Sequence, residues 1–110
     1  MKTIIIFCNT SWNIYNFRKN LINNLLKNYN VITISGRDMY SSRVKKISKS
    51  YFLDLNNRSI NIFKNLKEIL QFRKIIKRYP KATLLNFTNK SIIIGTISIF
   101  FRKNKVINVV

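Results

Sequence analysis

A chain of 110 residues with 21 Lys and Arg against 3 acids, and no His, carries a formal net charge of +18. That length fits one domain, the charge points to anionic partners such as phosphate, acidic lipid or nucleic acid, and the missing imidazole excludes His-dependent triads and His-ligated zinc. A hydrophobic content of 46% with 13% aromatics is that of a globular chain, and a single Cys rules out an internal disulfide.

The chain opens with "TIIIFC" (3–8), a continuous β-branched run that reads as a strand covered on both faces. The apolar run is too short for a signal peptide, and "NTSWN" is a poor cleavage site. Ile14, Phe17, Leu21 and Leu25 then recur at steps of three and four, with Ile22 and Leu26 alongside, which predicts an amphipathic helix. "NVITIS" (30–35) is a second strand. Asp38 or Ser41 is then the N-cap of a short helix, and "YFLDL" (51–55) is a third strand. After "NNRSIN" comes a longer helix with Ile62, Leu66, Ile69, Ile76 and Tyr79 on one face, stopped by Pro80. "ATLLNF" (82–87) is a fourth strand, "SIIIGTISIFF" (91–101) a buried helix, and "KVINVV" (105–110) a fifth strand. The 91–101 run falls well short of the roughly 20 apolar residues that span a bilayer.

Strands alternating with helices predict an α/β domain over residues 1–110: a doubly wound parallel sheet in the order 3-2-1-4-5. Strands 1 and 4 then flank the topological switch point, where ligands bind at the carboxyl ends of strands. The loops "NTSWNIYNFR" and "FTNKS" open onto that crevice. A final apolar strand with nothing after it predicts the front part of something larger.

Arg18 and Lys90 are the leading site candidates, each just past a switch-point strand where a helix N-terminus also offers N–H groups. They either hold a phosphate or pyrophosphate together or belong to solvated surface. Arg37 and Arg58 lie farther from the crevice and are weaker candidates. Asn9, Thr10 and Ser11 either bind a hydroxyl-rich ligand or cap the first helix. Trp12 and Tyr15 either stack on a sugar, line an apolar groove or pack under a partner domain. Cys8 reads as an inert core thiol. Asp38, Asp54 and Glu68 are scattered, so no catalytic acid–base pair is expected; no metal site, dinucleotide fingerprint or Walker loop is present.

"NTSWNIYNFRKNLINNLLKNYNVITISGRD" resembles the opening of bacterial family 4 glycosyltransferases, especially those that build capsular polysaccharide, O-antigen and other lipid-linked glycans. Asn9 in the loop after strand 1, the Phe17–Arg18 pair and "VITISGRDMY" carry the likeness. So do Asn86, Thr88, Lys90 and Gly95, in the stretch "LDLNNRSINIFKNLKEILQFRKIIKRYPKATLLNFTNKSIIIGTIS". The resemblance implies a GT-B architecture, two facing Rossmann-like domains of which this chain is the acceptor-side half. The donor-binding domain, separate or missing, would hold the nucleotide-diphosphate sugar; this chain alone would bind no cofactor and be inactive. Asn9, Ser11 and Asn86 would bind acceptor hydroxyls, and Arg18 and Lys90 the acceptor or the donor phosphates. A lipid-linked sugar acceptor and an anionic inner-membrane surface are the implied partners, with the protein cytoplasmic and peripheral at that membrane.

Two functions are compatible with these residues. One is the acceptor-side domain of a retaining, nucleotide-sugar-dependent glycosyltransferase. The other is a small basic module for RNA or acidic membrane, which explains the charge but not the order of elements. No RNA-reading motif is present, so no specific nucleic acid is expected.

Overall fold

The first strand is apolar on both sides because it is central. In a computed structural model, which describes residues 2–53, 66–87 and 105–108, β1 (Thr3–Thr10) lies between β2 (Asn30–Gly36) and β4 (Thr83–Asn86). β3 (Lys49–Leu53) flanks β2 and β5 (Val106–Asn108) flanks β4, giving a five-stranded parallel sheet in the order β3-β2-β1-β4-β5. Fold class and strand order are as the alternation of periods predicts.

Residues two apart share a face. Ile5 and Phe7 of β1 join Ile32, Ile34 and Leu84 under Phe72, Ile75 and Ile76 of α4 (Leu66–Lys77). Ile6 and Cys8 point the other way and pack with Val31 against Ile14, Ile22 and Val44. Val44 belongs to α3 (Ser41–Ile47). Helices on both faces make the sheet doubly wound. Among the described residues of α4, Phe72, Ile75 and Ile76 form the buried stripe, while Arg73, Lys74 and Lys77 are exposed. Ile62, the side chains of Leu66 and Ile69, the loop before α4 and the helix expected over 91–101 lie outside the described residues.

The first helix departs from its expected phase. It runs as α1 (Ser11–Asn13), a π-helical turn (Ile14–Arg18) and α2 (Lys19–Leu25). Simple three-and-four spacing puts Phe17 on the core face, yet Phe17 is 60% exposed while Ile14 and Ile22 are fully buried. The wider i→i+5 turn takes up extra chain and swings Phe17 outward. Arg18, four residues from both Ile14 and Ile22, stays on the inward side. Just before this helix, the β1–β2 register slips between Cys8 and Thr10, leaving Asn9 as the extra residue of a bulge.

Candidate functional site

The carboxyl end of β1 is tied to β2 by hydroxyl groups. Ser11 is fully buried, and its Oγ donates to the Gly36 carbonyl at 2.9 Å. The Ser35 and Ser41 hydroxyls each lie 2.9 Å from the same oxygen. A serine hydroxyl has one proton and two lone pairs, so these three partners fill its capacity. Ser11 is therefore corrected from a candidate ligand group to a staple between the first and second loops; Thr10 is the helix cap, accepting from the Asn13 N–H at 3.1 Å. Ser11→Ala is expected to lower unfolding stability by about 1–3 kcal/mol in urea titration, because it strands buried polar partners.

Asp38 strengthens the same joint. One carboxylate oxygen accepts from the Trp12 N–H at 2.9 Å and the other from the Tyr40 N–H at 2.7 Å, while the Asp38 N–H donates to Ser41 at 2.9 Å. The start of the first helix, expected to be open to a phosphate, is thus held by the protein's own carboxylate.

The Arg18 guanidinium sits 4.0 Å over the centroid of the Phe87 ring, just past β4, and close enough to Cys8 of β1 to hydrogen-bond the sulfur. Its Nε is buried without a hydrogen-bond partner. Arg18 thus lies between the ends of the two switch-point strands. The Phe87 N–H donates to the Phe7 carbonyl at 2.9 Å, which fixes the ring under the cation. Cys8 is fully buried, and burial pushes its thiol up to about 12 despite the lowering effect of Arg18. It is an inert thiol, as expected.

The other candidates divide. Asn9 is half-buried at the bulge beside the crevice. Asn86 is 1% exposed and pairs in register with Phe7, so its amide is not presented to a ligand; this corrects its expected role. Tyr15 is half-buried, with its ring 5.7 Å from Tyr40, the Lys19 ammonium 4.8 Å away and the Arg43 guanidinium 5.6 Å away. Trp12 is exposed and meets Phe17 edge-on at 5.2 Å. Arg37 is exposed on the far side of β2, 5.9 Å from the Phe52 ring. Lys90 and Arg58 lie outside the described residues.

Sequence reading passed over Ser35 and Phe87 and gave Ser41 only as a candidate helix cap, whereas Tyr40 stands at the N-cap of α3 and Ser41 bonds Ser11 instead. The signal for Ser35 is present: in "VITIS" apolar Ile32 and Ile34 alternate with Thr33 and Ser35, both fully buried, which marks one face of β2 as a set of hydroxyl anchors. Thr33 serves α3 and β3 in the same way, 3.0 Å from Ser48 and 2.8 Å from Ser50. A separate pair lies elsewhere, where the Tyr51 and Tyr79 hydroxyls meet at 2.9 Å. The bond from Tyr79 lowers the Tyr51 pKa, while burial raises that of Tyr79.

Among the described residues there is no group of three or more His, Cys, Asp or Glu that could hold a metal, and no helix long and apolar enough to cross a membrane. No family model, curated protein or solved structure matches the chain.

Proposed function

We propose that the chain is the acceptor-side domain of a nucleotide-sugar-dependent glycosyltransferase for cell-surface or lipid-linked glycans, completed by a donor-binding domain. The observation that carries this reading is Arg18. A cation half-buried at the switch point, stacked on the Phe87 ring, supports a role in holding a phosphate or pyrophosphate oxygen. The aromatic ring and the thiol hold the guanidinium without neutralising it, so its charge is kept for a ligand. Asn9 at the bulge supplies a neighbouring polar group for a sugar hydroxyl. Asp38, with both oxygens already bonded to backbone, takes no part in proton transfer, which suits a half-site whose chemistry is completed by the facing domain.

The test is titration of the whole chain with a short-chain polyprenyl pyrophosphate. Arg18→Met keeps an apolar side chain over Phe87 and removes the charge. It is expected to weaken binding about a hundredfold, the usual scale for losing a charged anion donor from a partly dry site. Sugar transfer by the chain mixed with a separately produced donor-binding domain is expected to fall in parallel. Equal pyrophosphate affinity in the two proteins would remove Arg18 from the site and leave the reading without support.

A further inference from the structure

Away from the Arg18 crevice, the start of β3 gathers a second set of cations. Lys49 opens the strand, and Tyr51, two residues on, shares its face and packs against the core that includes α4. Tyr79, just past α4, reaches the same point, where the two phenol hydroxyls meet at 2.9 Å. Each hydroxyl has a cation at its side. The Arg78 guanidinium donates to the Tyr51 hydroxyl at 3.4 Å, and its carbon lies 5.9 Å from that ring's centroid. The Lys49 ammonium lies 5.9 Å from the Tyr79 centroid, close enough to hydrogen-bond the phenol oxygen. The polar contacts therefore run Lys49, Tyr79, Tyr51, Arg78, with a positive charge at each end.

This row has bonding capacity to spare. Two hydroxyls carry two protons; their mutual bond uses one, and among the described residues nothing accepts the other. The Tyr79 hydroxyl raises the Lys49 pKa, while the nearby Arg78 charge works against it. Among the described residues no carboxylate offsets that repulsion; the Asp38 carboxylate is engaged by backbone N–H groups beyond the opposite ends of the strands. Lys49 and Arg78 are both exposed, so a solute can reach them. An anion that takes a hydrogen bond from each cation relieves the repulsion between them. A carboxylate offers two oxygens and one charge for three kinds of donor. A phosphate dianion offers three or more oxygens and a negative charge for each cation. We propose that Lys49, Arg78 and the Tyr51–Tyr79 hydroxyl pair form a binding site for a phosphate dianion, as the free ion or a small phosphate monoester. The site does not rest on the activity proposed for the Arg18 crevice.

Tyrosine isotope-labelled at the phenol carbon reports by NMR on each of the chain's five phenol rings. The full chain is titrated with inorganic phosphate at constant ionic strength and about pH 8, where phosphate monoesters are dianions. The expected result is saturable movement of the Tyr51 and Tyr79 resonances while that of Tyr29 stays in place. Lys49→Gln with Arg78→Gln should raise the midpoint about tenfold, the scale for losing charge-assisted hydrogen bonds to an exposed ion. Lys45→Gln with Lys46→Gln removes the same charge from exposed positions of α3 and should leave the midpoint unchanged. Equal weakening by the two pairs would overturn the proposal, because net charge alone would then draw the ion. So would movement of all five rings together, or a response to RNA with none to phosphate. A second titration with glycerol phosphate separates the sources. Matching midpoints support a monoester site, and a response to inorganic phosphate alone supports a site for the free ion. Arg18→Met should leave the Tyr51 and Tyr79 response unchanged, so failure at either site is told apart from failure at the other.

Discussion

Phe7→Ala is expected to lower unfolding stability by about 3–5 kcal/mol, read as a lower urea midpoint at unchanged slope. Phe7 is 1% exposed in the central strand, between Ile34 of β2 and Asn86 of β4 in register. Its ring meets Phe72 of α4 edge-on, with centroids 4.9 Å apart. Truncation removes the ring's transfer energy and leaves a cavity that neighbours on two strands and a helix cannot collapse to fill. Since a domain of this size has roughly 5–15 kcal/mol in total, the variant sits near the edge of folding. Ile5→Val on the same face, which loses one methylene, should cost only about 0.5–1.5 kcal/mol. Equal losses from the two variants would mean that this face is not packed as described. The effect reaches the site as well. The Phe7 carbonyl accepts the Phe87 N–H, so loosening the β1–β4 pairing loosens the platform beneath Arg18.

How far the fold and the site can be read from the sequence depends on which force decides each feature. "TIIIFC" is apolar at every position because β1 is covered on both sides, and that alone places it at the centre of a parallel sheet. The alternation of strands and helices then limits the topology to few choices, and the observed order is among them. The place of the switch point between β1 and β4 is legible for the same reason, because it is fixed by topology rather than by any one side chain. Local hydrogen bonding is where period-based reading stops. The π-helical turn breaks the step of three and four, so Phe17, expected on the core face, is turned to solvent. Ser11 looks like a ligand group only until Ser35, Ser41 and Gly36, distant in sequence, are brought around it. Asn86 looks polar and near the crevice, yet strand alternation places it on the face of Leu84 and Phe7. In each case the sequence holds the residue type and tertiary contact decides its use.

Cys8 gives the second large effect, and it depends on pH. The thiol's ordinary value is 9.0, and burial raises it to about 12 in the folded chain. Below pH 9 the group is neutral in both folded and unfolded states and contributes no slope. As pH rises from 9 toward 12 the unfolded chain gives up the proton and the folded chain keeps it, so unfolding becomes easier. The expected loss is about 1.4 kcal/mol per pH unit, or about 4 kcal/mol across the window, levelling off above it. Lysines and tyrosines titrate in the same range, so the measured quantity is the difference from Cys8→Ala, which should lack this part of the slope. Alkylation by iodoacetamide at pH 8 should be far slower for the folded thiol than for the unfolded one, because Cys8 is both shielded from the reagent and held protonated. Arg18 lowers the thiol's value by charge and by hydrogen bond, so Arg18→Met should move the alkaline loss to still higher pH. A wild-type profile that coincides with that of Cys8→Ala would mean that the thiol is not held buried in the folded chain.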